Sequence, residues 1–408
     1  MIWNPFWIVI PGFMLNLHGA APSPIDIVDG ATPLQWSARM ADSEMNRLGD
    51  RLVWKENGKA TWDYTAGLFT LSLLKLDECA PDPRYLRFAE SAIGSFITPE
   101  GGIRDYNAAE YQLDHINPGK TVLMLYRITK EERYRNAAAL LRRQLDTQPR
   151  TGEGGFWHKQ KYPHQMWLDG LYMAGPFYAE YARRFNEPEA SFDDIAKQFR
   201  VVAAHTHDPA TGLFYHGWDE SRRQEWANKV TGTSSNFWGR ALGWYGMALV
   251  DTLDFFPATH PARGELIGTL QKLCAGVVKY QDPRSGLWYQ VVDQGGRKGN
   301  YLEASASSMF VYVLAKSVNR NYLPRNYEPA ILKGYQGILD GLIRKDGSGD
   351  ISLTHCCSVA SLGYGKDGSY EYYLREPIVD NDLKGVGPFI LAGIEVQRLR
   401  HIPSVSRY

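Results

Sequence analysis

FDDIAKQFRVVAA (192–204), TGLFYHGWD (211–219) and WGRALGWYGMALVDTLDFF (238–256) follow one another in the middle of the chain. In the first, Phe192, Ile195, Ala196 and Phe199 recur at the three- and four-residue spacing of a helix with one buried face. The third carries apolar residues almost all round, the pattern of a helix covered by neighbours on several sides. Between them, glycine and aromatic residues break the periodicity and mark a loop. The unit is therefore a helix, an aromatic loop and a more deeply buried helix.

The same unit recurs along the chain. Its loops are GKATWDY (58–64), EGGIRDY (100–106), TGEGGFWH (151–158), TGLFYHGWD (211–219), SGLWYQVVD (285–293) and DGSGDISLTH (346–355). Amphipathic runs lead into them, as at 84–97, 134–145 and 266–278, and more apolar runs follow, as at 168–185 and 303–319. With the segments near 36–48, 65–77, 119–128, 327–343 and 385–400, the spacing predicts twelve helices, with strand only as short pieces inside the loops. Six helical hairpins close into an all-α (α/α)6 barrel, the expected fold, or stack as an open solenoid. In both arrangements every second connection returns to one end, so the aromatic loops share a face and form a bowl able to take a ligand. No proline- or serine-rich linker or charge block divides the chain after residue 30, so 30–408 is expected to be one barrel domain.

Bulk composition narrows the partners. Lysine plus arginine and aspartate plus glutamate each number 45 in the 408 residues, leaving no basic field for a phosphate backbone, so no nucleic acid partner is expected. Twelve Trp and twenty-four Tyr offer flat faces suited to sugar rings where they gather in loops. Cys79, Cys274, Cys356 and Cys357 show no metal-ligand spacing and read as buried free thiols, so no metal or cofactor is expected. Residues 2–16 form an apolar stretch broken by Pro5 and Pro11 and followed by Gly19, Ala20 and Ala21; 1–21 reads as a signal peptide and secretion is expected. No run is long and apolar enough to span a bilayer, so no membrane partner is expected.

Several polar residues stand where helices enter the bowl. Asp169, in KYPHQMWLDGLYM, is either a first-turn carboxylate favoured by the helix dipole or an acid whose proton is retained by apolar surroundings; the sequence weights these evenly. Asp114, in YQLDHINPGK, caps a turn or shares the cavity with Asp169 for acid and base work. His158 and His216 occupy matched places in two of the loops, suited to bonding sugar hydroxyls or orienting a carboxylate. Arg240 and Trp244 lie one turn apart near the start of a buried helix, where a cation opposes the dipole; an anionic ligand group would account for it, as would a guanidinium reaching the barrel rim. Glu303 and Asp382 read as helix caps. Phosphate-loop, serine-hydrolase and zinc-protease signatures are missing from the sequence.

At QMWLDGLYMAGPF, YQLDHINPG, GFWHKQKYP and SSNFWGRALGWY the chain resembles glycoside hydrolase family 105, the unsaturated rhamnogalacturonyl hydrolases, over roughly residues 35–400. The resemblance implies an (α/α)6 barrel that removes a terminal 4,5-unsaturated uronic acid from the oligosaccharides pectin lyases leave. In that chemistry an acid protonates C4 of the enol ether, water adds at C5, and the hemiketal opens to release the aglycone. Carried over by motif, proton donor and base fall on Asp169 and the assisting carboxylate on Asp114. Sugar contacts fall on His158, Trp167, His216, Arg240 and Trp244, with Asp63 and Tyr64 of ATWDY joining the pocket. The implied partner is an unsaturated oligosaccharide, and the chemistry needs no metal. Two other readings are unsaturated glucuronyl hydrolysis of other lyase products and a non-catalytic carbohydrate-binding barrel.

Overall fold

A computed structural model describes residues 30–49 and 60–399. The segment read as a signal peptide, and the start of the 58–64 loop, lie outside the described residues. In chain order the helices are α1 (Pro33–Leu48), α2 (Tyr64–Asp77), α3 (Pro83–Ala92), α4 (Gly119–Thr129), α5 (Glu132–Thr147), α6 (Leu168–Arg184), α7 (Glu189–Thr206), α8 (Gly239–Thr252), α9 (Arg263–Lys279), α10 (Ala304–Asn319), α11 (Glu328–Gly341), the short α12 (Tyr370–Arg375) and α13 (Leu383–Arg398). Leaving α12 aside, these are the twelve helices expected from the periodicity. The run at 84–97 is shorter than expected: α3 stops at Ala92 and a 3-10 turn, Gly94–Phe96, follows. A side chain at Gly94 would meet the Tyr134 hydroxyl at 2.6 Å, so helix α5 packs directly over that turn.

Burial sorts the helices into two rings. Every residue of α8 is buried, whereas α3 buries only Tyr85, Ala89 and Ala92. The buried set packs in sequence, α2 on α4, α4 on α6, α6 on α8, α8 on α10 and α10 on α13; α13 then packs on α2. That last contact joins the two ends of the chain and closes the ring, which decides for the (α/α)6 barrel over the open solenoid. Helices α1, α3, α5, α7, α9 and α11 cover it from outside. The inner ring is tight enough to need glycine: a Cβ on Gly67 of α2 would lie 2.7 Å from Cα of Pro118, at the entry to α4.

Each outer helix delivers the chain into a turned loop at one end. DPATGL (208–213) and DPRSGL (282–287) make the same turn: the aspartate N–H bonds the leucine carbonyl, and the glycine N–H returns to the aspartate carbonyl. Gly212 and Gly286 sit there at φ 79° and 77°, the left-handed region where a side chain is strained. Short antiparallel pairs tie loops together: β1 (Gln165–Trp167) with β2 (Gly217–Asp219), β3 (Ile343–Lys345) with β4 (Ile351–Leu353), and β5 (Cys356–Cys357) with β6 (Ile378–Val379). The β1–β2 pair sets Trp167 opposite Gly217, so the loops before α6 and α8 share one wall of the bowl.

Candidate active site

At the loop end a cavity of about 460 Å³ opens between the entries to α2, α4 and α6 and the segment 359–361. Asp63, Tyr64, Asp114, His158, Trp167 and Asp169 all line it. All but His158, which sits in the loop before β1, are placed by a helix start. Asp63 caps α2, accepting from the Thr65 N–H at 2.8 Å and its hydroxyl at 2.6 Å, and Tyr64 is the first helical residue. Asp114 sits on a 3-10 turn, Leu113–Ile116, just before α4. Trp167 ends β1, and Asp169 follows in the first turn of α6.

Asp114 is held as an anion. Burial raises its carboxyl, but the Lys159 ammonium, 2.5 Å from Oδ2, outweighs that and holds it below the ordinary carboxylate value. His158 Nε2 lies 3.4 Å from Asp114 Oδ1, an approach that is not an ion pair near neutrality. Burial pushes this imidazole down to about 4, against the pull of Asp114 and with the help of Lys159, so the ring is neutral there. It stacks on Trp167 with centroids 4.3 Å apart at 22°, and Trp167 is fixed by an Nε1 bond to Gln165 Oε1 of 3.0 Å.

Asp169 differs. Its side chain is 14% exposed, its Oδ2 is sealed from solvent, and that oxygen lies 3.1 Å from Nε2 of the fully buried His216. The carboxyl therefore meets the cavity through its other oxygen, Oδ1. Of the two uses foreseen for His216, bonding a sugar or orienting a carboxylate, its burial and this approach match the second.

Arg240 and Trp244 lie behind the cavity wall. Arg240 is 1% exposed; its guanidinium bonds the Ser305 hydroxyl at 2.7 Å, the Ser358 carbonyl at 3.1 Å and the Cys357 carbonyl, with Glu303 Oε1 at 3.6 Å. The cation at the start of α8 thus has its counter-charge within the protein, and it anchors the strand that runs on into the 359–361 wall. Glu303 also caps α10, accepting from Ser305 and Ala306 N–H, and Asp382 caps α13. Trp244 stacks on Tyr172 at 4.9 Å and meets the edge of the cavity residue Tyr64 at 6.3 Å.

Lys159 was not singled out in the sequence, although it directly follows His158. Met173 also lines the cavity, and its place four residues after Asp169 on the same helix face was a usable signal. Gln112 and His115 flank Asp114 in YQLDHINPGK and Asp105 lies in the EGGIRDY loop, so each had a local signal; 359–361 gave none. Among the described residues no group of three or more His, Cys, Asp or Glu is placed to hold a metal ion.

Comparison with known proteins places the chain in a family. The model for Glycosyl Hydrolase Family 88 matches residues 36–400. A glycoside hydrolase from family 105 of C. acetobutylicum ATCC 824 is 44% identical, with a TM-score of 0.84 over 88% of this chain and 99% of that one. The unsaturated rhamnogalacturonyl hydrolase YesR of Bacillus subtilis (strain 168) is 28% identical over 292 residues, covering 70% of this chain and 77% of that protein. The unsaturated glucuronyl hydrolase of Bacillus sp. GL1 is 15% identical with a TM-score of 0.65, covering 89% of this chain and 95% of that one, and shares the fold. With the family match running from α1 to the end of α13 and a solved family 105 relative aligned along nearly its whole length, the chain belongs to the glycoside hydrolases of the family 88 and 105 group, as a member of family 105.

Proposed function

We propose that the enzyme releases terminal 4,5-unsaturated galacturonic acid from rhamnogalacturonan oligosaccharides, hydrating the C4=C5 enol ether with Asp169 as acid and then base. The observation that carries this reading is the unequal setting of Asp114 and Asp169. Asp114 has one oxygen on Lys159 and the other beside His158, and is held ionised; Asp169 has Oδ2 beside His216 and its other oxygen toward the cavity, while Asp63 is committed through Oδ1 to capping α2. Ordinary glycoside hydrolysis needs one carboxylic acid and one working carboxylate, nucleophile or base. Asp169, with one oxygen beside His216 and the other toward the cavity, suits a reaction that borrows and returns one proton.

The steps balance on that one group. Asp169 Oδ1 gives its proton to C4, and the π electrons form the C4–H bond. Positive charge develops at C5, shared with the ring oxygen and favoured by the fixed anion of Asp114. Water adds at C5 while Asp169 takes back a proton. The hemiketal opens to a C5 ketone, and the hemiacetal so exposed at C1 collapses to an aldehyde and the free aglycone alcohol, with one water consumed. Asp63, Tyr64 and the neutral His158 offer hydroxyl partners, and Trp167, stacked on His158 and Tyr162, holds the same wall in place. Arg240 and Trp244 act from behind, holding the 357–358 strand and Tyr64.

YesR, an unsaturated rhamnogalacturonyl hydrolase by name, supports the choice of substrate. The test follows loss of the C4=C5 ultraviolet absorbance with unsaturated rhamnogalacturonan disaccharide and, separately, with unsaturated glucuronyl disaccharides. Faster bleaching of the first is expected. Preference for the glucuronyl substrates, or no bleaching of either, would overturn the assignment.

A further inference from the structure

His216 is fully buried in a box of aromatic rings, with centroids 4.8 Å from Trp238, 5.9 Å from Trp167 and 6.0 Å from Tyr373. Its Nδ1 lies 2.8 Å from the Tyr373 hydroxyl, and its Nε2 faces Asp169 Oδ2 at 3.1 Å. Neither Nε2 nor Oδ2 makes a hydrogen bond among the described residues: the two lie 3.1 Å apart but out of line for an N–H···O bond. Tyr373 belongs to α12, in the last bowl segment, 157 residues beyond His216 in the chain. It is placed firmly. Its ring stacks on Trp238 at 23°, and Gln290 ties the two together, donating to the Tyr373 carbonyl at 3.1 Å and accepting from Trp238 Nε1 at 3.1 Å.

Resting on the reading of Asp169 as proton donor, we propose that Tyr373 is a positioning residue for the reaction. By donating its hydroxyl proton to His216 Nδ1 it fixes the imidazole with its own proton on Nε2. That N–H is the donor nearest Asp169 Oδ2, 3.1 Å away, and a small turn of either side chain brings the two into line, a bond that confines the acid's transferable proton to Oδ1, the oxygen that meets the cavity. The reverse arrangement puts the ring proton on Nδ1, facing the tyrosine oxygen. The phenol hydrogen then has no acceptor among the described residues, and a buried donor without a partner is costly. It would also draw the Asp169 proton onto Oδ2, toward a bare Nε2 and away from substrate. Other titratable groups around the chain of bonds are His158 and Asp114 on the cavity side and Tyr372, Cys357 and Asp367 around Tyr373. None of these is placed to bond His216 in the structure.

The test labels the full-length enzyme with 15N-histidine and reads the His216 tautomer from two-bond proton–nitrogen correlations near pH 7, assigning its signal by its loss in His216→Gln. The expected wild-type signature is a protonated Nε2 and a bare Nδ1. In Tyr373→Phe the Nδ1–H form gains population, and kcat falls about tenfold or more while KM stays within about twofold, because the loss falls on proton delivery and not on binding. Tyr245→Phe, which deletes an equally buried hydroxyl bonded to the Phe199 carbonyl, leaves kcat and the tautomer unchanged. A proton on Nδ1 of the wild type, in neutral or charged imidazole, overturns the proposal without recourse to any variant. So does a Tyr373→Phe enzyme with wild-type kcat. A wild type inert on every unsaturated disaccharide would instead sink the functional reading beneath it, a different outcome from a wrong tautomer in an active enzyme.

Discussion

Exchanging His158 for glutamine has an effect on stability that should depend on pH in a calculable way. The buried imidazole titrates near 4, while the same ring in the unfolded chain titrates at its ordinary 6.5. Between those values the unfolded state binds more protons, so stability rises with pH through the window. The contribution is complete above about pH 6.5 and is lost as pH falls toward 4, reaching about 3 kcal/mol when fully lost. From pH 7 to pH 4.5 the loss is about 2 kcal/mol by the same linkage. Asp114 adds little there, because the stability from its lowered carboxyl is lost only below its ordinary value of 3.8. At pH 7 the variant should be the less stable protein, having lost the stack on Trp167. Urea unfolding of both proteins at the two pH values measures the gap, which should narrow by about 2 kcal/mol at the lower pH. A gap of the same size at both values would refute the claim that His158 is kept neutral by burial.

Two further substitutions probe the frame around the cavity. Glu303→Ala removes the buried counter-charge of Arg240 together with the cap of α10 and the bond to the Cys357 N–H, and should lower unfolding stability by about 3–5 kcal/mol; a loss under about 1 kcal/mol would mean that Arg240 is not balanced there. Gly67→Ala sets a Cβ against Pro118 backbone, which cannot swing aside, and should cost about 1–3 kcal/mol in the same assay with the far-UV spectrum unchanged.

What was legible in the sequence follows from range. Helix α8 could be read because its burial pattern is written in consecutive residues, and Asp169 because the helix start and the apolar run both lie within a few positions of it. The barrel was the expected fold with an open solenoid beside it, and what decides between them, α13 meeting α2 across the length of the chain, is a contact with no local signature. Arg240 shows the same limit inside the site. A cation opposing a helix dipole pointed locally to an anionic ligand or to the barrel rim; the fold instead supplies Glu303 from another hairpin. The capping role of Glu303, by contrast, was local and readable. Tyr373 stood in a stretch with no motif, and only the folding of the 370–375 helix over the bowl brings its hydroxyl to His216.

The central claim is that Asp169 delivers a proton to C4 of an unsaturated uronic acid, and turnover in D2O tests it most directly. Wild-type enzyme given unsaturated rhamnogalacturonan disaccharide in D2O should bleach the chromophore and place one deuterium at C4 of the released sugar. Asp169→Asn, folding alike, should do neither. Cleavage by the wild type with no deuterium at C4, or an Asp169→Asn enzyme that bleaches at the wild-type rate, would contradict the account.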